Sequence, residues 1–147
     1  MQDTNPKTAF GRAKVGLSCV PLNVLLDIAL GLQEGAVKYG RHNYRDGALD
    51  ASVYFDAAIR HLFAWWEGED IDPDSRLSHI TKALTTLIVL RDIEHSGRMI
   101  DDRPPRIGIS EVMKYSAERV AYINEHVSSP TGEPIPPFTE KPLDRQD

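Results

Sequence analysis

From Ala83 to Leu90 the chain reads ALTTLIVL, with no charged residue. Leu77, Ile80, Leu84, Leu87 and Ile88 recur around it at the spacing of one helical face. A helix apolar nearly all round must be surrounded by other helices. This one demand narrows the fold more than any other segment, and it predicts a third helix from about Pro73 to His95. "PLNVLLDIALGLQEGAVKYG" predicts the first, with Pro21 in its first turn, Gly40 as its stop, and Leu25, Ile28, Ala29, Leu32 and Ala36 as its buried face. The second runs from about Ser52, a candidate cap, to Glu67, with Phe55, Ala58, Ile59, Leu62 and Trp66 facing inward. "SEVMKYSAERVAYINEHV" gives a fourth, weaker helix capped by Ser110.

The expected architecture is therefore all-α, a bundle of four main helices. Residues 1–20 lack a sustained period and read as a polar N-terminal arm. Residues 1–127 form one domain in this reading. After Ser128 the prolines at 130, 134, 136, 137 and 142 predict an extended or disordered tail over residues 128–147.

With 147 residues the chain is long enough for a real core. Its formal net charge of −5 argues against nucleic-acid binding, since no basic field would steer a polyanion to it. The apolar runs are too short for a membrane span. The N-terminus lacks the apolar segment of a signal peptide, and a lone Cys19 excludes an internal disulfide, so a cytoplasmic location is expected.

The chemistry gathers at "RHLFAWWEGEDIDPDSRLSHITKAL", residues 60–84. Arg60 and His61 lie at the edge of one apolar stripe, and His79 and Lys82 lie one turn apart on the next helix. Glu67, Glu69, Asp70, Asp72 and Asp74 stand between them. Asp70-x-Asp72-x-Asp74 opens like a calcium-binding loop, but Ser75 replaces the required glycine and Thr81 the bidentate glutamate. Asp72 before Pro73 also fits an N-cap followed by a first-turn proline. His79, Ala83 and Thr86 share a small, polar face that leaves room for a ligand. Glu34 and Lys38 are spaced i, i+4 as a surface pair.

Read in order, "AKVGLSCVPLNVLLDIALGLQEGAVKYGRHNYRDG" and "YFDAAIRHLFAWWEGEDIDPDSRLSHITKAL" resemble the phage dATP/dGTP diphosphohydrolase family, a MazG-like group with a branch called MazZ. The matching pieces are Gly35-Ala36, Lys38-Tyr39-Gly40, Asn43-Tyr44-Arg45, Arg60-His61, Gly68-Glu69, Asp72-Pro73-Asp74-Ser75 and His79, within residues 14–95. Tyr44 stands where tryptophan is usual, and Arg76 where glycine is usual. The Glu-Glu-x-x-Glu and Glu-x-x-Asp motifs of the wider MazG-like superfamily are absent in plain form.

The resemblance implies an all-α, MazG-like homo-oligomer, a dimer or tetramer, that hydrolyses a purine dNTP to dNMP and pyrophosphate with Mg²⁺ or Mn²⁺. It also implies a place in the nucleotide metabolism of phages with diaminopurine DNA, hence in the host cytoplasm. On this reading Glu69 and Asp72 hold the metal, with Glu34 or Glu67 as a third ligand. Lys38, Arg45 and Arg60 hold phosphates, and His61 or His79, with Glu69, serves catalysis. Tyr39 or Tyr44 stacks on the base, and Asn43 reads its edge or the sugar. Two alternatives remain: a non-enzymatic helical module that binds a nucleotide or protein, and a pyrophosphatase that clears non-standard nucleotides.

Overall fold

The computed structural model describes residues 5–138, and the chain divides after Arg103 into two units. In the first unit α1 (Pro6–Arg12) is capped by the Asn5 side chain, which accepts from the Lys7 N–H at 3.0 Å. The arm expected over residues 1–20 thus holds a short helix and a 3-10 turn at Leu17–Cys19, while residues 1–4 lie outside the described part. Helix α2 (Leu22–Tyr39) begins after Pro21 and ends at Gly40, whose φ of 94° is open to glycine without steric cost. A 3-10 turn at Asn43–Arg45 leads to strand β1 (Leu49–Asp50) and helix α3 (Ala51–Trp66).

Ser52 does not cap α3. Its N–H and hydroxyl both donate to the Asp102 carboxylate, so the segment after the next helix is tied back to the start of α3. Strand β2 (Met99–Ile100) pairs in parallel with β1, Leu49 opposite Met99, and completes that tie. Helix α4 (His79–His95) starts six residues later than its periodicity suggests. Asp72 caps a turn instead, its carboxylate accepting from the Ser75 N–H at 3.1 Å and from the Ser75 hydroxyl. This local bonding competes with helix initiation. Arg76 then takes the left-handed conformation, φ 62°, and Ser78 caps α4 through the Ile80 N–H.

The core of this unit lies where α4 packs on α3 and α2. It is built from small or slender residues: Ala51, Ala58, Ala83, Val89 and Ile93 are buried, with His79, Thr81 and Asp72. Helix α2 meets α4 at Gly31, where a Cβ would lie 2.2 Å from Thr85 Oγ1. The apolar stripes are only partly covered. Ile28, Leu32, Leu77, Ile80 and Leu84 are half-buried, whereas Leu25, Phe55, Trp66, Leu87 and Ile88 remain exposed. Close approach through small residues turns the His79–Ala83 face of α4 inward, in line with Val89 and Ile93, and leaves Leu87 and Ile88 outward.

In the second unit α5 (Ile109–His126) follows Gly108, with Ser110 inside the helix and no side-chain cap. Beyond it Pro130–Thr131 form a turn, closed by the Gly132 N–H donating to the Ser129 carbonyl, and residues up to Phe138 have no regular structure; the rest of the expected tail, residues 139–147, lies outside the described part.

Candidate active site

A pocket of about 400 Å³ opens between α2, α4 and the Asn43–Arg45 turn. That volume is in the range of small-molecule sites. The chain reaches round it because Gly40 and His42 both take positive φ, which reverses its direction just after Tyr39. Tyr39, Asn43, Tyr44 and Tyr54 supply ring and amide surface, and Glu34, Lys38, Arg41 and Lys82 supply charge. Burial raises the Tyr54 phenol above its usual pKa, so it presents an O–H donor at neutral pH.

Glu34 is clasped by two ammonium groups. Lys38, one turn along, donates to Oε1 at 2.5 Å, and Lys82, from α4, donates to Oε2. Burial alone would raise the Glu34 pKa; the bonds from Lys38 and Lys82 outweigh it and hold the carboxyl below its usual range. Lys82 Nζ also lies 4.0 Å from Asp72 Oδ2. Asp72 is lowered likewise, its burial outweighed by the two Ser75 hydrogen bonds and the Lys82 charge.

Beside this cluster the rings of His61 and His79 meet, Nδ1 to Nδ1, at 2.8 Å. One nitrogen must donate and the other accept, so the two rings share one proton at that contact. His79 is 5% exposed, its Nε2 has no hydrogen-bond partner, and Glu69 Oε2 lies 3.6 Å away. A buried Nε2 lone pair facing a carboxylate would be repulsive, whereas an N–H there is attracted. That assigns the Nε2 proton to His79 and the shared Nδ1 proton to His61, leaving the His61 Nε2 lone pair free. Burial, then the neighbouring His79 and Lys82, push the His61 pKa below 6.5 and keep the ring neutral at pH 7.

A family model described as dATP/dGTP diphosphohydrolase, N-terminal, matches residues 4–103. The chain belongs to the dATP/dGTP diphosphohydrolase family. The match ends at the residue where the first structural unit ends. No curated protein and no solved structure matches the chain. Membership makes the protein a dNTP diphosphohydrolase, a hydrolase rather than a passive binding module.

In the diphosphohydrolase, Lys38, Tyr39, Asn43 and Tyr44 all line the pocket. Arg45 does not: it grips Asp92 with two hydrogen bonds, Nε to Oδ2 at 2.7 Å and Nη2 to Oδ1. Arg60 is exposed on α3, away from the pocket lining. Of the carboxylates expected to share a metal, Glu34 and Asp72 converge on Lys82, Glu69 stands against His79, and Glu67 is exposed. Among the described residues no three His, Cys, Asp or Glu side chains are grouped to hold a metal ion. The expected ligand set therefore does not fit a protein-bound metal in this arrangement. Lys82, Tyr54 and His42 line the pocket without having been assigned a role from sequence. Only Lys82 had a signal, its place one turn after His79.

Proposed function

We propose that the pocket binds a purine dNTP and that the enzyme cleaves it between the α- and β-phosphates. The observation that carries this reading is the juxtaposition of a pocket containing tyrosines with Lys38 and Lys82, and of Lys82 with the His61–His79 pair. The base would lie against Tyr39 and Tyr44, with Asn43 at its edge. Lys38 and Lys82 would exchange Glu34 for phosphate oxygens, stabilising the charge that gathers on the leaving pyrophosphate. His61 Nε2 would take the proton of the attacking water as its oxygen bonds to the α-phosphorus and the bridging α–β P–O bond breaks. His79, steadied by Glu69, would hold His61 in the required tautomer.

Mg²⁺ or Mn²⁺ is part of the proposal, as are a homo-oligomeric assembly and a cytoplasmic role in phage nucleotide metabolism that supplies dGMP for diaminopurine DNA. Among the described residues no helix is long and apolar enough to cross a membrane, which is compatible with that location. The test is incubation with dGTP, dATP, pyrimidine dNTPs and oxidised purine analogues in ¹⁸O-water, with and without EDTA. Pyrophosphate release with ¹⁸O in the monophosphate is expected, fastest with dGTP or dATP and abolished by EDTA. Release of inorganic phosphate, or a preference for the oxidised analogues, would replace this reading.

A further inference from the structure

We propose that Lys82, the cation shared between Glu34 and Asp72, takes the place of a protein-bound metal. Its ammonium donates to Glu34 Oε2 and lies 4.0 Å from Asp72 Oδ2, the two carboxylates best placed to share a divalent ion. All three side chains are largely withdrawn from water, with 16%, 17% and 13% of their surface exposed. A buried ion pair is costly to break one-sidedly, because the partner left behind keeps an uncompensated charge. Mg²⁺ gives up its water reluctantly and is bound through one or two carboxylates together with substrate phosphates. An ion arriving alone would have to expel Lys82 from Glu34 while also competing for Asp72, the other carboxylate beside the ammonium.

A triphosphate supplies a new partner for the ammonium. Resting on the reading that phosphates enter this pocket, the inference is that Lys82 leaves Glu34 only when a phosphate oxygen replaces it. The divalent cation consequently enters as the nucleotide's own chelate, and the free enzyme does not hold it at Glu34 and Asp72.

The experiment measures Mn²⁺ binding by electron paramagnetic resonance on the full chain, without turnover. For the wild type alone, no Mn²⁺ site tighter than about 1 mM is expected. Adding the non-hydrolysable α,β-methylene analogue of dGTP is expected to bring protein-bound Mn²⁺. Lys82→Gln, shown to be folded by circular dichroism, should bind Mn²⁺ without nucleotide about tenfold or more tightly than the wild type. Lys82→Arg, which keeps the charge, should not. A tight wild-type site without nucleotide that is weakened by Glu34→Gln and by Asp72→Asn would overturn the proposal, and this comparison decides it if Lys82→Gln does not fold. A folded Lys82→Gln with no gain would overturn it too. Because no arm requires hydrolysis, failure of the dNTP assay and failure of this inference are separately visible.

Discussion

His61 is where pH acts on this enzyme. Its folded pKa lies below the usual 6.5, so the unfolded chain binds the proton more readily in that interval. The stability it contributes is fully present above pH 6.5 and is lost as pH falls through the lower, folded value. The acid limb of kcat/KM, which reports the free enzyme, should fall at a pH below 6.5 for the same reason, and a pH–rate profile checks it. His61→Asn should reduce kcat by about 100-fold or more, whereas His79→Gln should move the acid limb upward while leaving KM nearly unchanged. Arg76 makes a second residue-scale case. It holds a left-handed backbone where the family resemblance places glycine. Arg76→Gly should raise the unfolding free energy by up to about 1 kcal/mol, the relieved strain exceeding glycine's added chain entropy, as read by urea denaturation. The sequence singled out both histidines beside apolar stripes, and it offered Lys38 as the i, i+4 partner of Glu34, a pair the structure forms. The partners were not: that Arg45 goes to Asp92, or that Lys82 reaches Glu34 on another helix, depends on how the helices are aligned, which no local spacing encodes.

Helices as units were easier to read than their ends. Hydrophobic period located α2, α3 and α4, since each buries part of one face. The start of α4 was misjudged because Asp72-Pro73 has the chemistry of both a helix cap and a turn, and Ser75 decides for the turn. Which face of α4 would be inward was also hidden. Leucine and isoleucine suggested one stripe, while the contact with α2 and α3 goes through Gly31, Ala58, Ala83 and His79. That contact is testable at Gly31. Alanine there gains about 1 kcal/mol of helix propensity, but its methyl would overlap Thr85, and overpacking of this kind costs about 1–3 kcal/mol. Gly31→Ala should therefore lower Tm and, because Gly31 lines the pocket, raise KM for the dNTP. Thr85→Ala in the same chain should recover part of both, as a thermal-melt double-mutant cycle would register.

At the scale of the whole molecule, the α2 residues Leu22, Leu25, Leu26 and Leu30 are 66%, 48%, 57% and 54% exposed. Exposed apolar residues grouped on one helix commonly mark interaction sites, and a second copy of the chain is the proposed occupant. Light scattering on a sizing column should give a multiple of 16.5 kDa, and Leu26→Lys should shift it toward the single-chain mass. Hydrophobic periodicity foretold a helical protein; it could not foretell the ladder between Leu49–Asp50 and Met99–Ile100, which depends on pairing between distant segments. Met99, Ile100 and Asp102 are sewn to Leu49, Asp50 and Ser52 by a parallel ladder and a shared carboxylate. Those few residues act as a selvedge for the catalytic unit. A gene trimmed to end at His95 would unpick the hem, whereas one trimmed to end at Arg103 would keep every stitch.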